Sequence, residues 1–202
     1  MFTIRKYEKR DRAQVEKIVL ELAKYYPGIK NWLERPGGEL DKLDKGQDFC
    51  LIAEVNGKIA GISISSLTRN PGKNDAVKLK TFYVPDEFQG MAIGNPLLEA
   101  TIDHWAREKA KKIYVTMSGE EFPTLRGYFQ RYGFMFCGVS PRLYRDESKE
   151  YFMNKDMRYG KVTLKDHVNF VLKNLFENYG FSVEKIFDNA FIVKKMISFQ
   201  YQ

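Results

Sequence analysis

Two cysteines and two histidines are all the thiol and imidazole chemistry that 202 residues supply. Cys50 and Cys137 each sit in an apolar stretch, the pattern of reduced core thiols, and this excludes a disulfide framework. His104 and His167 lie far apart, with no neighbouring ligands at the spacing a zinc site needs. Long apolar runs are missing as well: none approaches the roughly 18 residues required to cross a bilayer. The opening "MFTIRKYEKRDR" alternates charge with apolar residues and builds no secretory core. A soluble, cytoplasmic protein without a metal is expected. There is no polybasic tail either; the net charge of +7 comes from 33 basic and 26 acidic residues spread along the chain. Such an excess favours anionic partners without choosing among them. No RNA- or DNA-binding motif accompanies it, which argues against a nucleic-acid groove.

What is present suits a folded protein. With 44% hydrophobic, 14% aromatic and 29% charged residues, burial can offset the entropy of ordering. "FTIRKY" reads as a strand, after which Asp11 and Gln14 have the spacing of a capping box. The helix they open carries Val15, Ile18, Val19, Leu22 and Tyr26 on one face, at helical spacing. "IKNWLER" suggests a short second helix, and "PGGELDK" a turn-rich connection. "DFCLIAEV" and "KIAGISISSL" flank Asn56-Gly57, the dipeptide preferred by type I′ hairpins, and Ala60, Ile62 and Ile64 are expected on one face. "AVKLKTFYV" is a third strand of this group. A helix with Leu98, Thr101, Ile102 and Trp105 inward then leads to the strand "KIYVTM". Another helix comes next, with Leu125, Phe129 and Tyr132 along its buried stripe and Gly133 at its C-terminal cap. "FMFCGVS" and "EYFMNKDM" complete a mixed α/β fold, a central sheet flanked by helices. One domain spans residues 1–158, and residues 159–202 add a helix with Val168, Val171, Leu172, Leu175 and Tyr179 in register and a hairpin turning at Asp188-Asn189. The apolar face of that extension must pack on the domain or serve a homodimer.

One stretch contradicts its surroundings. In "EFQGMAIGNPLLEA" a hydrophobic helix begins, yet its approach is crowded with glycine, asparagine and proline. The N–H groups of a helix's first turn lack internal acceptors and, with the helix dipole behind them, form an anion site. Small residues at 90, 92 and 94 let a phosphate approach, and glycine permits the backbone angles of such a cradle. No Gly-Lys-Ser/Thr comes after it, so this is not a P-loop, and no repeating βαβ unit surrounds it as a dinucleotide fingerprint requires.

The segment "LKTFYVPDEFQGMAIGNPLL" resembles the signature of the GNAT superfamily of acetyl-CoA-dependent N-acyltransferases. In that signature a strand and V-x-P precede Gln/Arg-x-x-Gly-x-Gly/Ala and a helix. The resemblance covers roughly residues 2–158, with "AEVNGKIAGIS" like the family's hairpin, "YFQRYGF" like its helix ending Gly-Phe, and "YFMNKDM" like its last strand. It implies that acetyl-CoA is the cofactor and that an amine-bearing small molecule or protein is the acceptor. It also implies that the backbone of Gln89, Gly90, Met91, Ala92, Ile93, Gly94 and Asn95 holds the diphosphate. Phe82, Tyr83 and Val84 are then expected to pair with the pantetheine arm where the sheet splays.

The chain departs from the family in three places. The position where many members carry a tyrosine as general acid holds Phe129. Tyr128 lies one residue earlier, about 100° around the helix, and serves there only if the helix is rotated or shifted. It is nevertheless the candidate catalytic residue, while Tyr132 fits the core stripe. Ala92 stands in place of a glycine and is expected to need a conformation that alanine tolerates, and Pro96 removes one N–H from the helix start. Glu120 and Glu121 are the candidate bases, against a simpler role at a helix N-terminus. Lys78 and Lys80 are read as solvated or as attracting an acidic acceptor. Phe129 also leaves open a second reading, a non-catalytic acyl-CoA-binding module.

Overall fold

In the computed structural model, the described residues are 2–24, 37–68, 75–119, 122–142, 149–157, 181–187 and 190–195. Among them the order is β1 (Thr3–Lys6), α1 (Arg12–Glu21), α2 (Glu39–Asp44), β2 (Phe49–Val55), β3 (Lys58–Thr68), β4 (Ala76–Tyr83) and α3 (Gly94–Arg107). Next in the chain are β5 (Lys112–Ser118), α4 (Phe122–Arg131), β6 (Met135–Pro141), β7 (Lys149–Asp156), β8 (Phe181–Phe187) and β9 (Ala190–Lys195). The first seven strands form one sheet in the order β1-β2-β3-β4-β5-β7-β6. Every neighbouring pair in it is antiparallel except β4 and β5. The mixed α/β architecture expected from the pattern is therefore the one observed.

The hairpin is built as its dipeptide dictates. Asn56 and Gly57 take φ of 49° and 77°, the left-handed pair that a type I′ turn demands. The expected face of β3 is broken, however. Ala53 pairs with Gly61 and Glu54 with Ile59, leaving Ala60 as an extra residue. This bulge flips the alternation, so Ile62 and Ile64 join the core beneath α1 while Ala60 packs with Leu51, Ile93 and Leu97 on the other side.

Two layers of helix cover the sheet. Val15, Ile18 and Val19 of α1 and Leu40 and Leu43 of α2 meet Cys50, Ile52, Ile62 and Ile64. On the opposite side Leu98 and Trp105 of α3 and Phe129 of α4 meet Val77, Leu79, Ile113, Val115 and Met153. Helix α3 is further pinned by two buried polar contacts. The Thr101 hydroxyl lies 2.8 Å from that of Ser63, and the Trp105 indole N–H donates to the Ser65 hydroxyl at 2.8 Å. A satisfied bond of this kind contributes about 1 kcal/mol, and its loss leaves a buried group unpaired at greater cost.

Several local expectations are corrected. The capping interaction at the first helix comes one turn early: Asp11 accepts the Glu8 N–H at 2.8 Å, while the Gln14 side chain accepts from Ile59 N–H at 3.3 Å. Within "PGGELDK" the chain forms α2 rather than open turn, because Leu40 and Leu43 find the core. Cys50 is a buried thiol as expected, but Cys137 is exposed on β6. Tyr26, the "IKNWLER" segment and the 168–179 helix lie outside the described residues. Strands β8 and β9 pair antiparallel on either side of Asp188-Asn189.

Close approach of α3 to β3 requires a glycine at 61. A Cβ there would stand 3.2 Å from Leu97 Cδ2 and 3.3 Å from Ile93 Cγ2, both fully buried side chains. The variant Gly61→Val is expected to lose about 1–3 kcal/mol of stability by overpacking, read as a lower denaturation midpoint with an unchanged slope.

Candidate acyl-carrier site

The ladder between β4 and β5 is short. It joins Ala76–Leu79 to Lys112–Val115 and stops. Beyond it β4 stays paired to β3 as far as Tyr83, and β5 to β7 as far as Ser118, so a cleft opens between the two parallel strands. On its other edge β4 also changes phase. Ile64 pairs with Thr81 and Ser65 with Leu79, which leaves Lys80 as a bulge. The β5 ladder thus ends where the β3 ladder skips one residue, and Phe82 turns toward the α3–α4 side, while Tyr83 turns toward α1.

Past Val84 the chain makes a 3-10 turn at Asp86–Phe88 and enters the glycine-rich loop. Buried Phe88 and Ile93 anchor its two ends, and Gln89, Gly90, Met91 and Ala92 between them are exposed. The N–H groups of Gln89 and Met91 are already bonded to Asp86 O and Phe88 O, at 3.2 and 3.3 Å. Leu97 N–H returns to Ile93 O at 3.2 Å. Among the described residues no acceptor is found for the N–H groups of Gly90, Ala92, Ile93, Gly94 and Asn95. The donors free to meet an anion are therefore narrower than the whole 89–95 stretch. They lie at the N-terminus of a 14-residue helix, where the dipole favours negative charge.

Gly90 has φ +83°, and a Cβ added there would meet nothing within 4 Å; Ala92 has φ +57°. Ala92 therefore occupies the left-handed region usually left to glycine, a conformation that costs an L-residue about 1–2 kcal/mol. The expectation that the loop would avoid this is wrong. The turn demands the angle, and alanine bears it.

Tyr128 completes the site. A Cβ at Gly94 would lie 3.3 Å from the Tyr128 hydroxyl and 4.0 Å from both Phe82 Cζ and Val84 Cγ2. The start of α3, the splayed end of β4 and the side chain from α4 thus converge on one point. The Tyr128 hydroxyl is buried and finds no hydrogen-bond partner among the described residues. Its ring lies 6.1 Å from that of Phe82 and 5.5 Å from that of Tyr132. Burial, and then the neighbouring Tyr132, holds its pKa above the usual phenol range, so the proton is retained at neutral pH. Phe129 is core, 2% exposed. Helix α4 thus presents residue 128 to the cleft and residue 129 to the sheet. The helical spacing alone could not show this, because both residues border the same apolar stripe. Tyr132 packs partly buried against the same core.

Lys80 is corrected outright. It is neither solvated nor facing an acceptor: its ammonium reaches Asp48 Oδ2 at 2.7 Å and Glu39 Oε1 and Oε2 at 3.1 and 3.2 Å. Lys78 also has interactions of its own, and Glu120 and Glu121 lie outside the described residues. Among the described residues no cluster of His, Cys, Asp or Glu could hold a metal ion, and no helix is long and apolar enough to cross a membrane.

The sheet splays after a bulged strand, and unpaired amides stand at the start of the next helix. The acetyltransferase (GNAT) domain family matches residues 28–157, and the chain belongs to that family, whose members use acetyl-CoA. A spermine/spermidine N(1)-acetyltransferase of Bacillus subtilis (strain 168) is 37% identical over 67 residues, 33% of this chain and 43% of that protein. The chain therefore spans less than half the length of the curated relatives it matches. Among solved structures, yncA from Salmonella typhimurium with its cofactor acetyl-CoA aligns over 77% of this chain and 94% of its own, with 21% identity and a TM-score of 0.62. A ribosomal-protein-alanine N-acetyltransferase from Brucella melitensis aligns over 76% and 99%, with 19% identity and a TM-score of 0.59. These two share the fold.

Replacing Ala92 by glycine removes the left-handed penalty without touching any packed atom. The variant Ala92→Gly is expected to melt about 2–4 °C higher for each kcal/mol relieved, measured by thermal denaturation.

Proposed function

We propose that the chain is an N-acetyltransferase that moves the acetyl group of acetyl-CoA to a primary amine by direct attack. The observation that carries this is the convergence of Gly94, the Val84 end of β4 and the unpartnered Tyr128 hydroxyl on one point. Backbone recognition suits a diphosphate at Gly90 and Ala92–Asn95, where small residues leave room and amides lack acceptors. The edge of β4 past Leu79 has no ladder to β5, so an extended pantetheine arm can lie along Phe82, Tyr83 and Val84 as an added strand. Bound acetyl-CoA supplies a thioester carbonyl and a sulfur leaving group.

The residues then divide the work. The cleft brings amine and carbonyl together, converting an encounter in solution into a local one. In this reading a main-chain N–H near Val84 polarises the carbonyl oxygen. The Tyr128 hydroxyl, its proton retained at neutral pH, is the donor for the departing sulfur, and the proton released by the attacking amine returns through water to the phenolate. The role that the family resemblance assigns to position 129 passes in this chain to Tyr128. A primary amine is also the acceptor class of the Bacillus relative, which acts on spermine or spermidine. The orphaned hydroxyl is what favours an enzyme over a module that only binds acyl-CoA.

Two variants test the assignment. Gly94→Glu places bulk and negative charge among the free amides, and isothermal titration should show acetyl-CoA binding abolished in a protein that remains folded; unchanged affinity would refute the placement of the site. Tyr128→Phe keeps the ring packing and removes only the proton. It is expected to retain acetyl-CoA affinity and lose about 10²-fold in kcat, measured as thiol release across a panel of primary amines. Release equal to wild type would strip Tyr128 of its role, and binding without release on any amine by the wild type would leave only the module.

A further inference from the structure

The strand that forms the cleft is loosened on both edges at one residue, and that residue carries a buried charge. Lys80 is the bulge between β3 and β4, and it comes directly after Leu79, the last residue of β4 laddered to β5. Lys80 itself is paired in neither ladder, although Leu79 and Thr81 beside it stay paired to β3, so the bulge is the point at which a side-chain anchor can set the strand's line. The Lys80 side chain is only 16% exposed and is gripped by Glu39 of α2 and Asp48 at the entrance to β2, whose side chains are 1% and 2% exposed. Buried ionic clusters seldom increase stability over an apolar alternative; their attested use is to select one arrangement.

We propose that Lys80, clamped between Glu39 and Asp48, is a positioning residue for acyl transfer: it fixes the bulge and through it the line of Thr81–Val84 along the cleft. This rests on the proposed function for its consequence in catalysis, though not for its consequence in structure. The cluster sets two carboxylates against one ammonium away from solvent, and one proton relieves the excess. Burial, reinforced by Asp48 and opposed by Lys80, pushes Glu39 up to about 7. The other groups on the packed elements are committed elsewhere. Asp41 and Asp44 of α2 are tied to Arg12 and Tyr7, and Arg5 of β1 is tied to Asp11 and Glu54. Cys50 of β2 is a buried thiol whose pKa burial raises further, and Lys78 lies two residues before the bulge. His104 of α3 stacks on Phe49 beside Asp48, and burial lowers its pKa below the usual imidazole range. Within the cluster itself Glu39 is the group whose charge changes near neutrality, with Lys80 remaining cationic because Asp48 and Glu39 outweigh its burial.

The test reads the backbone first. In the wild-type chain the amide resonances of Thr81, Phe82, Tyr83 and Val84 should share a common titration with a midpoint near neutral pH, and in Glu39→Gln that step should vanish. Lys80→Met alone leaves two buried carboxylates without a cation and risks unfolding. The neutral triple variant Lys80→Met, Glu39→Gln, Asp48→Asn keeps the volume and removes every charge. It is expected to remain folded and to lose about tenfold in kcat through misplacement of the strand that holds the reacting carbonyl. A titration step that persists in Glu39→Gln, amides that do not move in the wild type, or a folded triple variant with wild-type kcat would each overturn the proposal. If the wild type acetylates no amine, the proposed function fails while the resonances still decide this inference.

Discussion

The structure depends on β4 parting from β5 at the very point where its pairing with β3 skips a residue. Inter-strand hydrogen bonds end toward β5 at Leu79 and skip a residue toward β3 at Lys80. A ladder that ran on to Tyr83 would close the cleft and leave no strand edge to receive an extended ligand. The bulge adds a second effect, since an extra residue reverses which side chains face which layer. Phe82 therefore reaches the α3–α4 side and meets Tyr128, where unbroken alternation would have sent it to the opposite face. Opening and re-aiming are one event in the backbone.

The loop and helix beyond the strand have to be held as firmly as the strand is loosened. Ile93 and Phe88 bury the two ends of the glycine-rich loop, and the hydroxyl and indole contacts of Thr101 and Trp105 fix α3 against β3. Those contacts set the rotation of the helix about its axis as well as its distance, because a hydrogen bond is directional where apolar contact is not. With Gly61 letting the two elements approach, the unpaired amides at the start of α3 are held in place. The unfavourable angle at Ala92 persists for the same reason: the surroundings over-determine it.

Elements whose signal is local could be read from the sequence. Asn56-Gly57 fixes its own turn, and the faces of α1, α3 and α4 come from periods that survive folding. The glycine-rich segment is legible as a strand-to-helix turn, which its small residues permit. Features that depend on pairing were not legible. The side on which Ala60 falls is decided by a bulge that no residue type announces. Lys80 reads as a surface lysine until α2, formed within an apparent turn, delivers Glu39 to it. Phe129 lies on the buried stripe as its spacing predicts, while the side to which Tyr128 turns depends on the rotation of the helix against its sheet, an angle that spacing does not give.

In the proposed function recognition falls to main-chain amides, which separates the loop's role from most of its side chains. Met91 is 49% exposed, and Gly90 faces open space, so the identity of the residues there is constrained only by the turn they must make. Gly94 has no such latitude, because any larger residue meets Tyr128. The exposed rim of the loop can therefore change in composition, and with it the surface seen by neighbouring molecules, without disturbing the backbone, whereas a side chain at Gly94 moves against the Tyr128 hydroxyl.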